Sequence, residues 1–415
     1  MNNYKKNRED VYSRLKDNSV LIIYSGELKQ FSADESYPFV VNTNFYYMTG
    51  ISQENTYLVV TRINDEIHET ILAYENTEFH SKWMGDYLTP EQIFDISECD
   101  EVRYVDDFDD YLLEILNNKK IETVYLDLEK IAFKGQINFG EVLKNKIENE
   151  TKLVEIEDVY KTITTVRGVK KDYEIDLYRK AVDVTREALE EVMKELPNMK
   201  YEYQVQAKFE YEIKRIANCP ISFETIAAAG KNAAVLHYRA NDDTLENKNM
   251  ILLDLGALYK GYHADISRTY PINGKFGELE LKIYNIVLGC NKYIINEIKP
   301  GVSLKDLQAK TVEYLAKHCV SEGLIKDESE IGNYYFHGIS HHIGLDTHDP
   351  MPRYEGVLEP GMIISCEPGL YFKELGIGVR IEDDILVVEN GSENLSKDII
   401  KEAREIEDFI ASHRA

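Results

Sequence analysis

Apolar positions change their period along the chain, and the change falls near residue 170. Before it, short runs dominate. Residues 19–24 (SVLIIY), 56–61 (TYLVVT), 70–74 (TILAY) and 123–127 (TVYLD) read as strands, with short helices predicted at 90–94 and 109–116. This alternation predicts an α/β domain over residues 1–165. Residues 154–171 lack a clear apolar period, end in the basic stretch RGVKK, and read as a connector. Beyond it, Ile175, Tyr178, Val182, Leu189, Val192 and Leu196 follow a helical spacing, with Thr185 in the gap. They predict an amphipathic helix capped by Asp172 and stopped by Pro197, and a second helix over about 202–217. The helix–proline–helix order returns at 278–298 and 304–319 around Pro300, and the string QAK recurs at 206–208 and 308–310. Residues 166–415 are therefore expected to be an α+β domain with a pseudo-two-fold internal duplication, each half a helix pair followed by strands.

The chemistry concentrates in the second half. ILLDLGALYKGYHADISRTY (residues 251–270) holds Asp254 and Asp265, each closing a strand-like run, with a hairpin-like connection between Gly256 and Gly261. A hairpin would set the carboxylates side by side, where they repel unless a cation, a shared proton or hydrogen-bond donors offset them; two surface turn aspartates are the alternative. Downstream, HGISHHIGLDTHD (residues 337–349) places four histidines in thirteen residues. ISCEPGLYF (residues 364–372) sets Glu367 at a strand end, and GVRIEDDILVV, beginning at Gly378, places Glu382 inside a strand-like alternation. Asp254, Asp265, His341, Glu367 and Glu382 make a hard-oxygen set with one imidazole, which suits a pair of divalent ions such as Mn, Co or Zn. Without cations, each carboxylate pair about 4 Å apart would repel by roughly 4 kcal/mol at an effective dielectric near 20. Several such pairs rival the whole stability of a domain, about 5–15 kcal/mol.

His337 and His341 imitate the spacing of helix-borne zinc ligands, but Gly338 and Gly344 argue against a helix, so His341 alone is taken as a ligand. His342 is expected to point away from His341, and His263, two residues before Asp265, is likewise set aside as a ligand.

The charge narrows the partners. Lys+Arg 48 against Asp+Glu 74 gives −26, which repels nucleic acid and anionic membrane. No run approaches the roughly 18 apolar residues of a membrane span, and the N-terminus lacks a signal-type apolar core. Five scattered cysteines without a CxxC fit reduced thiols in a cytoplasmic protein. Cys366, beside Glu367, would face the opposite side of a strand and is read as a buried structural thiol.

These strings, in this order, resemble the pita-bread metallopeptidases, and among them the Xaa-Pro aminopeptidases. The resemblance spans nearly the whole chain. It includes Tyr37, Pro38 and Phe39 followed by NFYYMTG (residues 44–50), which is similar to the N-terminal signature of aminopeptidase P and reads equally as an aromatic core patch. It implies a creatinase/aminopeptidase-like catalytic domain that removes an N-terminal residue preceding proline, through a hydroxide bridging two metals. Asp254 would bind one metal with both oxygens, Asp265 and Glu382 would bridge, and His341 and Glu367 would complete the second. Glu367 is implied as general base, His237 and His348 as donors to substrate and oxyanion, His337 as lining for the proline pocket, and Arg380 as orienting the bridging carboxylates from outside. Trp83 resembles a tryptophan that reaches a neighbouring subunit's site in bacterial relatives; the plain alternative is a half-buried packing residue. A homodimer or homotetramer is expected. Prolidase is the runner-up; methionine aminopeptidase would not need residues 1–160. A metal-free creatinase-like hydrolase and a non-catalytic binding protein fit less well, because all five ligand positions hold metal-competent residues.

Overall fold

The structure, a computed structural model, describes residues 3–129, 138–351 and 356–414. It divides into two compact units, Met1–Arg167 and Gly168–Ala415. In the first unit β1 (Ser19–Tyr24), β2 (Tyr57–Ile63), β3 (Glu66–Ala73), β4 (Glu101–Tyr104), β5 (Thr123–Leu126) and β6 (Glu155–Asp158) form one sheet in the order β4-β3-β2-β1-β5-β6. The β1–β2–β3 meander is antiparallel, and the outer strands join in parallel. Helices Phe108–Leu116 and Phe139–Glu150 bury Leu112, Ile115, Leu143 and Ile147 against Val20, Ile22, Val59, Leu72 and Val124 of the sheet.

The stretch read as a connector is structured. It holds β6 and the helix Tyr160–Gly168. β6 escapes a pattern reading because it is four residues long and lies at the sheet edge with none of its residues buried; its order comes from the parallel ladder with β5, not from an apolar face. Only the second part of the aromatic signature packs inward: Phe45, Tyr47 and Met48 are buried in the helix Thr43–Thr49, which Asn42 caps and Gly50, at φ +74°, terminates, whereas Tyr37 is 58% exposed. Trp83 closes the helix Glu78–Trp83 and is 75% exposed, so it is not the half-buried packing residue of the plain alternative.

In the second unit the helices Asp172–Glu195 and Glu202–Ala217 precede a three-stranded sheet of β7 (Ile226–Ala229), β8 (Met250–Leu255) and β11 (Ile266–Pro271), with the small hairpin of β9 (Leu258–Tyr259) and β10 (Tyr262–His263) between its last two strands. The helices Glu278–Glu297 and Leu304–Ser321 then precede β12 (Ile363–Cys366), β13 (Gly369–Phe372), β14 (Ile377–Arg380), β15 (Asp383–Val388) and β16 (Gly391–Asn394), in sheets β12-β15-β16 and β13-β14. Two helix-pair-plus-sheet halves thus follow one another, the pita-bread layout. Lys171 occupies the N-cap of the first helix, one residue before the expected Asp172, which instead opens the first turn, where its charge favours the helix dipole. Thr185, the gap in the apolar stripe, is buried and accepts from the Ala257 amide at 3.0 Å, fixing the strand connection to the helix. Gly256 is required there, since a Cβ would lie 1.8 Å from the Ala264 carbonyl oxygen.

Candidate metal centre

β8 and β11 pair antiparallel with Asp254 opposite Ser267. Asp265 stands two residues before Ser267, directly ahead of β11 instead of closing a strand, so period-two geometry puts it on the same face, diagonal to Asp254. The second pair of acids arises in the other half. β12 and β15 pair with Cys366 opposite Asp383, so Glu367 and Glu382 each lie one residue beyond that pair. Glu382 sits in the break between β14 and β15, not inside a strand; its amide there donates to the Ser267 carbonyl at 3.0 Å and so joins the two halves.

His341 lies on an extended segment beside β12, where the His341 amide donates to Ser365 Oγ and the Ser365 amide to the His341 carbonyl. Its Nε2 stands 3.4 Å from Asp265 Oδ2, 3.5 Å from Glu367 Oε1 and 4.0 Å from Glu382 Oε1. One donor atom each from Asp265, His341 and Glu382 lies within 4.8 Å of the others. All five sequence-predicted ligands line one cavity of about 550 Å³, together with His237, His337, His348 and Arg380. His342 and His263 are not among its lining residues. His342 lines a neighbouring cavity of about 430 Å³ that shares only His341 and His348 with the first, and His263 meets Thr347 Oγ1 at 2.9 Å.

Electrostatics of the cavity show what it lacks. Burial raises Asp254 to about 6, with Asp265 adding to the rise against the opposing charge of Arg380. Burial raises Glu367 to about 7, although His341 and Arg380 pull it down. Glu382 is driven well above the carboxylate range by burial and by the charges of Asp265, Glu367 and Asp254. Burial works against the His341 imidazolium, but the hydrogen bond to Asp265 and the charges of Asp265 and Glu367 outweigh it and lift His341 to about 9. Protons therefore do what cations would do. Asp254 Oδ1 is buried without any hydrogen-bond partner, an acceptor aimed at nothing the chain supplies. A hard-oxygen donor set with an orphaned carboxylate oxygen and surplus negative charge fits divalent ions.

Around the acids, donors hold the geometry. Arg380 Nη2 donates to Asp254 Oδ2 at 2.6 Å and Nε to Ser267 Oγ at 2.7 Å, while Ser267 Oγ donates to Glu382 Oε2 at 2.7 Å. Arg380 thus grips Asp254 directly and reaches Glu382 only through Ser267, a narrower role than orienting both expected bridging carboxylates. Arg380 Nη1 also donates to Tyr371 Oη (3.1 Å), whose hydroxyl faces His337 Nε2 at 2.9 Å. His337 Nδ1 lies 2.7 Å from the Gly338 carbonyl, so the hydrogen bonds assign the proton to Nδ1 and make Nε2 the acceptor. Burial and the nearby Arg380 charge lower His337 to about 4, keeping it neutral. His348 stacks on His341 with ring centroids 4.0 Å apart.

Metallopeptidase family M24 has a family model that matches residues 176–389, and the model for the aminopeptidase P N-terminal domain matches residues 4–125. The chain belongs to metallopeptidase family M24. This M24 chain is 31% identical over 421 residues to Xaa-Pro aminopeptidase 1 of Streptomyces coelicolor, covering 94% of the chain and 84% of that protein. It superposes on a Bacillus anthracis structure described as an aminopeptidase P with TM-score 0.96 and 38% identity, over all of both chains. Zinc-substituted Escherichia coli aminopeptidase P with bound product matches at TM-score 0.91 and 28% identity, over 100% of this chain and 98% of that one.

Several residues that brace the acids escape a motif reading. Ser267 was within reach, since a residue two after Asp265 on a strand shares its face. Asp384 and Arg268 had no such signal. Asp384 is fully buried and accepts from the Asp265 amide at 3.2 Å. Arg268, also fully buried, donates to the Ser267 and Glu382 carbonyls and pairs with Asp383 at 2.8 Å, so it braces both acid-bearing segments from behind. Ser267→Ala removes the hydroxyl that links Arg380 to Glu382. It is expected to weaken manganese binding about tenfold or more, read by calorimetric titration, and to lower the Tm of the metal-stripped protein by a few degrees, because buried Arg380 Nε and Glu382 Oε2 each lose a partner.

Proposed function

We propose that this M24 metallopeptidase is an Xaa-Pro aminopeptidase, with residues 1–165 an α/β domain and residues 166–415 the catalytic domain. The observation that carries the reading is the convergence of Asp254, Asp265, His341, Glu367 and Glu382 on one cavity, with Glu367 beside His341 at 3.5 Å. Two divalent ions, manganese first and cobalt or zinc next, would be held by Asp254 on one, Asp265 and Glu382 shared, and His341 and Glu367 on the other; when bound they would acidify water and polarise the scissile carbonyl. Glu367, beside His341 in the cavity, takes a proton from the attacking water and returns it to the departing proline nitrogen. His237 and His348 line the same cavity and offer N–H groups to the substrate and to the oxygen that gains charge. His337, kept neutral and fixed by Tyr371, forms the wall against which the proline ring packs.

Proline at the second position is the substrate named for the Streptomyces relative, whose match extends through both regions of the chain. An Xaa-Pro dipeptidase is the second reading, because the Xaa-Pro dipeptidase of Pyrococcus furiosus is 34% identical over 69% of this chain. Trp83, exposed beside Phe79 and Met84, each 72% exposed, makes an apolar patch suited to a subunit boundary in a dimer or tetramer. The five cysteines are free and buried, which supports a reducing compartment, the cytoplasm. No helix among the described residues is long and apolar enough to cross a membrane.

Chelation should abolish hydrolysis of an Xaa-Pro-Xaa tripeptide and manganese should restore it. Cleavage of the corresponding Xaa-Pro dipeptide at a higher kcat/KM would instead assign the dipeptidase. Hydrolysis indifferent to chelation would refute the metal mechanism.

A further inference from the structure

The catalytic cavity carries a second arginine, paired at its rim with Glu224. Its lining carboxylates are Glu224, Asp254, Asp265, Glu367 and Glu382, and its lining guanidiniums are Arg239 and Arg380. Arg380 is fully committed, to Asp254, Ser267 and Tyr371. Arg239 is different. Its side chain is 63% exposed at the rim, 3.0 Å from Glu224, itself 65% exposed. An exposed pair of this kind contributes little, so the guanidinium can exchange Glu224 for an incoming carboxylate at small cost.

The backbone that presents Arg239 is nonetheless held firmly. Between His237 and Arg239, Tyr238 turns away to donate to Glu202 Oε2 at 2.8 Å. Glu202 is fully buried and also accepts from the Ala229 and Asp243 amides and from Asn232 Nδ2. Leu236 and Tyr238 pack against the cluster of Ile226, Ala228, Leu252 and Tyr371. The turn is thus pinned at Leu236 and Tyr238, while His237 and Arg239 line the cavity.

We infer that Arg239 is a specificity residue that reads a carboxylate on the third residue of the substrate. This rests on the aminopeptidase reading above. The acids and His341 form the buried floor, where the bond between the first and second residues is cut, so the third residue extends toward the rim. There Glu224, the one lining acid outside the proposed ligand set, would repel a carboxylate, and Arg239 supplies the offsetting planar fork. The favoured substrates are short peptides ending at the third residue with a free C-terminus. A third-residue glutamate side chain presents the same chemistry from a different source.

The test compares kcat/KM for an Xaa-Pro-Xaa tripeptide and its C-terminal amide in the wild type, Arg239→Gln and Glu224→Gln, all manganese-loaded. Wild type should prefer the acid about fivefold, through KM. Arg239→Gln should bring the acid-to-amide ratio to one or below, and Glu224→Gln, by freeing the guanidinium, should raise it. Amides with glutamate or glutamine third distinguish the sources: a glutamate preference lost in Arg239→Gln adds the side-chain carboxylate, and its absence restricts the reading to the C-terminus. An acid-to-amide ratio that Arg239→Gln leaves unchanged overturns the inference while the aminopeptidase reading stands. Failure of the wild type to cleave any of these peptides overturns both.

Discussion

Glu382→Gln is expected to lower kcat/KM for an Xaa-Pro-Xaa peptide by on the order of a thousandfold, the equivalent of about 4 kcal/mol of lost transition-state stabilisation. The substitution keeps the shape of the side chain, and its amide oxygen can still accept the 2.7 Å hydrogen bond from Ser267. What it removes is the charge shared between the expected ions. The same change should stabilise the metal-stripped protein, because Glu382 is buried among Asp265, Glu367 and Asp254, whose charges oppose its ionisation. A pair of carboxylates about 4 Å apart repels by roughly 4 kcal/mol at a dielectric near 20, part of which protonation already relieves. Removing one member should recover about 1–2 kcal/mol, or about 3–6 °C in Tm for a domain of this size. Activity would fall while apo stability rises, as expected of a site strained for function. Peptidase assays and scanning calorimetry of stripped protein read the two halves separately. A Glu382→Gln enzyme with wild-type activity and manganese content would remove Glu382 from the ligand set.

Stripped of divalent ions, the protein should lose stability steadily between about pH 4 and 9, and the manganese-loaded protein should not. Burial lifts Asp254 from 3.8 to about 6 and Glu367 from 4.5 to about 7. For an acid raised on folding, the native state binds the extra proton, so stability falls as pH rises from the unfolded to the folded value. His341 is raised from 6.5 to about 9, so its contribution is complete below 6.5 and lost as pH passes through 9. All three changes run the same way. At about 1.4 kcal/mol per unit, and allowing for shared protons within the cluster, the loss is on the order of 5 kcal/mol. That corresponds to a Tm gap between loaded and stripped protein about 10 °C wider at pH 8.5 than at pH 5.5. Metal binding to deprotonated ligands pushes in the same direction. A gap that stays constant or narrows with pH would show that these groups do not share one enclosed site.

Much of the architecture was legible before any coordinates. The spacing of Ile175, Tyr178, Val182, Leu189 and Val192 and the repeated helix–proline–helix order describe local geometry, and local geometry follows from local pattern. The four strings bearing Asp254, Asp265, His341, Glu367 and Glu382 were equally visible, because ligand-type residues beside strand ends and glycine turns are unusual in combination. β6 was missed for the complementary reason: an edge strand ordered by its neighbour's hydrogen bonds carries no apolar signal of its own.

What the chain alone determined, then, was the set of elements and the inventory of acids and histidines, since both are written in short stretches whose periods stand on their own. Tertiary structure alone decided that His341 Nε2 lies against Asp265, Glu367 and Glu382 together, that Arg380 holds Asp254 and touches Glu382 only through Ser267, and that Asp384 and Arg268 stand behind them. Those choices depend on which strands align across more than a hundred residues, and on how much water burial removes from each charge. Neither quantity is a property of any one segment.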